Sequence, residues 1–212
     1  MTTLLRAPLV LVLLLLLAGC TTPPAEQSLG PDRSFTGWQL VTTPAARLND
    51  VCQLRPDGTL AVAGQPSGYL ATTAVYRNYQ LHVEWRWTGK PGNSGILVHI
   101  ASGPKDRVWP LCHQIQTKHT CAGDLLPMAG ATGAELPAGA KQISHQQPSS
   151  EKPAGEWNTC DLVCRGDTIE CAINGVRQNR LTHCVPAAGQ IGFQLEGAPY
   201  ELRHLRLTPL AD

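Results

Sequence analysis

The sequence predicts an all-β domain, a sandwich or jelly roll of two antiparallel sheets with one long loop insertion. Three observations carry this. Apolar residues alternate with polar ones at a period of two from Asn78 onward, glycine-centred tight turns separate the alternating segments, and no long stretch repeats at 3.6 residues.

The chain opens differently. A single early cation, Arg6, precedes an apolar run from Ala7 to Leu17, then Leu17-Ala18-Gly19-Cys20. This is the layout of a signal peptide over residues 1–19, with small residues before the cut site. The apolar run is shorter than the roughly 20 residues that a membrane-crossing helix requires. Its Leu-Ala-Gly-Cys ending resembles a bacterial lipobox. That resemblance implies acylation of Cys20, a lipid-anchored mature protein and a place in the bacterial cell envelope, on the outer membrane or a periplasmic face. Residues 20–33 are rich in Thr, Pro, Ser and Gln and read as a flexible stalk. Residues 34–212 then form one domain, long enough to bury a core. The formal net charge is +1 with no basic stripe, so no nucleic-acid partner is expected.

Within the domain, Leu81, Val83, Trp85 and Trp87 alternate with Gln80, His82, Glu84 and Arg86, which makes a strand with one buried face. Pro91-Gly92-Asn93 turns the chain, and residues 95–100 return as a second strand. Residues 157–165 and 168–173 flank Gly166-Asp167, and Asn174-Gly175 turns into 176–180, so consecutive hairpins are expected. Residues 190–195 and 201–208 supply the closing strands. Between Thr117 and Gly155 lie many Gly, Ala, Pro, Ser and Gln residues with no convincing strand, an insertion that either covers a functional region or is disordered.

Eight cysteines include Cys20, which leaves Cys52, Cys112, Cys121, Cys160, Cys164, Cys171 and Cys184, an odd number in an exported chain. Cys112 and Cys121 flank a short loop and are the leading candidates for a disulfide, which would contribute roughly 2–4 kcal/mol. Cys160 and Cys164 sit on one strand about 13 Å apart at 3.3 Å per residue, too far to share a zinc ion. Across a Gly166-Asp167 turn Cys164 opposes Ile169, and Cys171 is only its diagonal neighbour at about 7 Å, beyond disulfide reach. In that register Cys160, Leu162, Cys164, Ile169, Cys171 and Ile173 share one face, so the thiols read as small core residues.

The polar residues Asn93, Ser94, His99, Gln114, Gln116, Asp124, Glu156, Asn158 and Gln194 lie on or beside the expected strands. On a sheet face such residues are either solvated or form the floor of a cleft. His113, His119 and Asp124 crowd the start of the insertion. A divalent metal is compatible with those side chains but is not indicated by their spacing. Neither a nucleophile motif in a recognisable context nor a phosphate-binding glycine loop is present.

An ordered set of short pieces is similar to the 3-keto-disaccharide hydrolase family over nearly the whole domain. It starts at Phe35-Thr36-Gly37-Trp38 and runs through Gly68-Tyr69-Leu70, Tyr79 to Trp85, Gly92-Asn93-Ser94-Gly95-Ile96, Cys112 to Lys118 and Gly123-Asp124. It continues with Pro153 to Asn158, Ile173-Asn174-Gly175, Gly189 to Gln194 and Glu201-Leu202-Arg203. Asn-Ser-Gly-Ile and Gly-Glu-Trp-Asn are the most specific pieces. The resemblance implies a fold like the concanavalin A-like lectins and glucanases, two curved sheets whose concave face makes a carbohydrate cleft. It also implies chemistry unlike ordinary glycoside hydrolysis, which needs two carboxylates about one bond. A ketone at C3 acidifies the C2 hydrogen, so one base can remove it while the C1 substituent departs, with the enolate held by hydrogen-bond donors or a metal ion.

Two positions depart from the family pattern. His99 stands where an arginine is usual, and Gln114 stands where a glutamate is common, two residues before Gln116. An amide cannot act as a base. The resemblance therefore leaves His99, Asp124 or Glu156 to supply it, with Asn93, Gln114, Gln116, Trp157, Asn158 and Gln194 binding the sugar. The alternative reading is a non-catalytic glycan-binding surface lipoprotein, and a third is a structural envelope protein. In the first two readings the ligand is a saccharide or 3-keto-sugar.

Overall fold

The computed structural model describes residues 25–211. Cys20 and the signal segment lie outside the described residues. In chain order the strands are β1 (Gln27–Ser28), β2 (Trp38–Thr43), β3 (Cys52–Leu54), β4 (Leu60–Val62), β5 (Ser67–Thr72), β6 (Tyr79–Trp87) and β7 (Gly95–Asp106). Then follow β8 (Trp109–Gln116), β9 (Leu125–Met128), β10 (Asn158–Arg165), β11 (Thr168–Ile173), β12 (Val176–Leu181), β13 (Gln190–Leu195) and β14 (Tyr200–Pro209). One helical turn, α1 (Leu48–Val51), precedes β3.

Two antiparallel sheets stack face to face, as the alternation predicts. Sheet A has the order β12-β11-β10-β6-β14-β4-β3, with β1 added beside β14, and sheet B has the order β2-β5-β13-β7-β8-β9. The physical reason is visible on β6: Tyr79, Leu81, Val83, Trp85 and Trp87 are buried, and the residues between them face outward. Facing them from sheet B are Leu70, Ile96, Val98, Ile115, Ile191, Phe193 and Leu195. Burial of two tryptophans and a tyrosine from a single strand removes several hundred Å² from water, at about 150–250 Å² per aromatic side chain. Tyr79 pairs with Pro209, and Trp87 pairs with Tyr200. These pairs mark the two ends of the sandwich, the proximal end at Tyr79 and the distal end at Trp87.

The β10–β11 hairpin has the expected register. Cys164 opposes Ile169, Leu162 opposes Cys171, and all six expected core residues are buried. Three expectations are corrected. The stalk ends before residue 33, because Gln27 and Ser28 pair with Leu207 and Arg206, and Leu29 is buried in the core. The insertion is ordered, and it contains β9, which pairs with β8 through Ile115↔Leu125 to Cys112↔Met128. Proline and methionine in that short segment mask its strand character in the sequence. The Cys112–Cys121 disulfide is absent. Cys112 lies in mid-strand with its sulfur 3.9 Å from that of Met128, whereas Cys121 lies beyond the strand's end, in a loop closed by the Gln116 N–H to Asp124 carbonyl bond.

All seven cysteines from Cys52 to Cys184 are free. Burial pushes the Cys52, Cys164, Cys171 and Cys184 thiols up to about 12 and raises Cys112 and Cys160 as well. Since the thiolate is the reactive form, these groups should be inert in the folded domain. Alkylation followed by mass measurement is expected to modify Cys121 at most under native conditions, and all seven after denaturation without reductant. A reductant-dependent melting temperature would contradict this.

Candidate functional site

On sheet B the side chains that alternate with the core point outward. In β13 these are Gly192 and Gln194, followed by Glu196 just past the strand, and in β8 they are Cys112, Gln114 and Gln116. The register sets Gly95 of β7 opposite Gln116 and beside Gln194. Its lack of a side chain leaves the space that the Gln114 amide crosses. A Cβ at residue 95 would lie 2.3 Å from Gln114 Nε2. The Asn-Ser-Gly-Ile piece thus has a packing reason for its glycine.

Gln114 Nε2 donates to Gln116 Oε1 (3.0 Å) and to Gln194 Oε1 (2.8 Å). Gln194 Nε2 in turn donates to Glu196 Oε2 (2.6 Å), and Asn93 Nδ2 donates to the same oxygen (2.8 Å). The result is a directed row of amides ending on one carboxylate. Ser94 and Tyr200 hold the strand beneath it, since both hydroxyls donate to the Gln194 carbonyl at 2.7 and 2.8 Å. Burial raises the Glu196 carboxyl above its ordinary value, against the opposing pull of Arg107 and Lys118.

Glu196 also lines a recess of about 430 Å³ with Thr43, Ser67, Arg107, Val108 and Trp109. That volume is in the range of small-ligand sites. The roof comes from the β7–β8 hairpin. Its register breaks between Val98 and Ser102 and again before Asp106, so the ribbon doubles back over the sheet, with Gly103 against Pro110 and the Tyr69 hydroxyl. Beneath it Tyr69, Ala71, Leu97, Ile100 and Cys112 form a second small apolar cluster. The outer face of sheet B is therefore closed along its middle and open at the distal end.

The residues singled out from the sequence divide among four places. Asn93, Gln114, Gln116 and Gln194 come together in the amide row. Gln114 and Gln194 are 1 % and 3 % exposed and bond to one another, so they hold Glu196 rather than present donors to a sugar, which corrects the expected direct contact. His99 is fully buried between the sheets, with its ring edge-on to Tyr79 (6.4 Å) and His113 (5.9 Å). Neither ring nitrogen has a hydrogen bond of good geometry, and burial and His113 lower its pKa to about 4, offset in part by the Pro186 carbonyl. An imidazole in the core does not reach a ligand outside sheet B, so the expectation that it supplies the base is corrected.

Asp124 is 2 % exposed and already engaged. It accepts from His145 Nδ1 (2.6 Å), the His145 backbone N–H (2.7 Å) and Gln142 Nε2 (3.1 Å), which pins the middle of the insertion to its start. Its expected role as base is likewise corrected. Asp124→Asn turns one acceptor into a donor facing Gln142, and is expected to cost about 1–3 kcal/mol in urea unfolding. An unchanged unfolding midpoint would show that the carboxylate does not pin the insertion.

Glu156 and Trp157 lead into β10 of sheet A, which begins at Asn158. Glu156 is exposed on the turn before β10. Trp157 lies under two guanidiniums, Arg86 at 4.5 Å and Arg203 at 4.1 Å, which in turn pair with Glu201 and Glu84. Asn158 is fully buried, and its Oδ1 accepts from the Lys152 N–H and Asn174 Nδ2, both at 2.8 Å. They support the fold on the opposite side of the sandwich from the amide row, which corrects their expected place in the cleft. Nor do His113 and His119 join Asp124: His113 bonds the Thr132 carbonyl and His119 bonds Glu151. Among the described residues no group of three or more His, Cys, Asp or Glu side chains is arranged to hold a metal ion.

Glu196 was missed because the expected strand ended at Leu195. The available signal was its position two residues after Gln194, which by strand alternation keeps it on the same face.

A family model described as a 3-keto-alpha-glucoside-1,2-lyase-like domain matches residues 26–208. The chain belongs to this family. No curated protein sequence matches it significantly. Among solved structures, a candidate glycosyl hydrolase from Parabacteroides distasonis ATCC 8503 is similar at TM-score 0.63 and 19 % identity, covering 86 % of this chain and 92 % of that one. The carbohydrate binding module CBM66 from Bacillus subtilis is similar at TM-score 0.58 and 11 % identity, covering 82 % and 96 %. A Bacillus licheniformis beta-glucanase is similar at TM-score 0.55 and 14 % identity, covering 91 % and 100 %. At these identities the likeness establishes the jelly-roll fold.

Proposed function

We propose that this family member is a carbohydrate-active enzyme of the hydrolase or lyase type that cleaves 3-keto-glycosides, with Glu196 as its base. The observation that carries the reading is the single carboxylate at the end of the amide row, raised in pKa and open to a recess of sugar size. In this reading Glu196 takes the proton from C2 of the 3-keto sugar. The C2–H electron pair becomes the C1=C2 double bond as the C1–O bond breaks, and the departing oxygen takes a proton from Glu196 or water. Water can then add across the unsaturated ketone. Hydroxyls of Thr43 and Ser67 and the Arg107 guanidinium border the recess and are suited to stabilise the enolate oxygen.

The same geometry changes what Gln114→Glu should do. Residue 114 faces two amide oxygens, so a carboxylate there meets acceptors and forces Gln194 to turn its own oxygen toward Glu196. The variant is expected to lower turnover at neutral pH rather than restore a missing base. The proposal is tested by incubating the purified protein with a 3-keto-disaccharide in D2O, with and without chelator, and following products by NMR. Cleavage with loss of the C2 proton, and with deuterium at C2 in any product to which water has added, is the expected result. Saccharide binding by calorimetry with no cleavage would overturn the enzyme reading in favour of a glycan binder.

A further inference from the structure

The tether and the recess lie at opposite corners of the sandwich. Gln27 pairs with Leu207, and the chain before it runs toward Pro209, which is the proximal end of sheet A. The recess is bounded by Thr43, Ser67 and Glu196, which lie at the distal end of sheet B. Seven peptide steps separate Cys20 from Gln27, and a polypeptide reaches at most about 3.6 Å per residue, so an anchor at Cys20 holds β1 within about 25 Å of the bilayer. This limit is covalent. It applies whatever path the intervening residues take. The strand from Tyr79 to Trp87 adds about 26–30 Å between the two ends.

The proximal end has a surface suited to that position. Among the described residues the exposed large hydrophobics are Val75, Val176 and Val185, and two of these belong to this end. Val75 precedes the Tyr76–Gly189 bridge, and Val185 bridges Thr132 beside the Cys184 to Asp167 backbone bond. The exposed cations Arg77 and Arg165 flank the same end, together with two carboxylates, Asp167, which pairs with His183, and Glu135, which accepts from the Thr182 hydroxyl. Exposed valines suit the apolar boundary of a lipid surface, and the two arginines suit its anionic headgroups.

We infer that the proximal end, bearing Val75, Arg77, Arg165 and Val185, faces the membrane, and that the Glu196 recess opens away from it toward soluble saccharide. The inference rests on lipidation of Cys20 and not on the chemistry proposed for Glu196, so the two fail separately. The test uses the full-length lipidated protein in vesicles of phosphatidylethanolamine and phosphatidylglycerol that carry a nitroxide-labelled headgroup. A fluorophore is placed at Val75→Cys or at Lys90→Cys, an exposed distal turn position, in a Cys121→Ser background. The expected result is several-fold stronger quenching at residue 75 than at residue 90, lost when a long Gly/Ser spacer is inserted after residue 21. Equal quenching, the reverse order, persistence of the difference with the spacer, or a mature mass without diacylglyceryl on Cys20 would each overturn it.

Discussion

Glu196→Gln should lower turnover of a 3-keto-disaccharide by about 10²–10⁴-fold, the usual contribution of a well-placed base, while the domain stays folded. The substitution conserves shape, and a glutamine oxygen can still accept from Asn93 Nδ2 and Gln194 Nε2 as Glu196 Oε2 does. The stability readout separates chemistry from scaffolding. A carboxyl whose pKa is raised on folding holds its proton more tightly in the folded state, so ionisation opposes folding once the pH exceeds the unfolded value. Removing the charge should therefore hold or raise the melting temperature at pH 7. A lowered melting temperature with partial activity would mark Glu196 as a structural acceptor instead. In the wild type, kcat/KM should fall as the pH drops through a value above the ordinary glutamate pKa of about 4.3, and Gln at this position should remove that limb.

Acidification should destabilise the domain through His99 over a range that begins near pH 6.5. His99 is held neutral in the core with a pKa near 4 against an ordinary 6.5. Between those values the unfolded chain binds a proton that the folded chain refuses, so the stability is complete above pH 6.5 and is lost as the pH falls toward 4. A difference of that size corresponds to about 3 kcal/mol at 1.36 kcal/mol per unit. His113, lowered mainly by its own burial, acts in the same direction. Glu84, whose burial is outweighed by hydrogen bonds from His204 and Arg203, sits near 2, so its contribution is lost only below the ordinary glutamate range and outside this window. Urea unfolding at pH 7.5, 5.5 and 4.5 should show the loss, and His99→Asn should flatten it. Asparagine suits the site because His99 has φ of 54°, which asparagine tolerates better than most residues. An unchanged pH slope in that variant would show that residue 99 is not the source.

Gly95→Ala completes the set, with an effect confined to the amide row. The nearest atoms to a new methyl group belong to the flexible Gln114 side chain, so the fold should survive while Gln114 is displaced. Turnover should fall with little change in melting temperature. Unfolding of the variant would mean that the backbone cannot relax there.

The sequence by itself determined the sandwich, and it did so through local rules. Alternation on β6 decides which five side chains are buried, because a pleated strand sends successive residues to opposite faces. The two-residue turn at Gly166-Asp167 sets the hairpin register and makes Cys160, Cys164 and Cys171 core groups. These properties depend on residues a few positions apart. What only the tertiary structure decided depends on which strands become neighbours. Gln114 and Gln194 are 80 residues apart, and they meet because β13 and β8 both flank β7 across a glycine. His99 reads as an outward polar residue of β7, but the break in register after Val98 turns it into the core. Trp157 and Gln116 look like partners in one cleft, yet the sheet order puts them on opposite outer surfaces of the sandwich. Pairing of distant strands is selected by the total burial of both sheets, a sum over the whole domain that no local window contains.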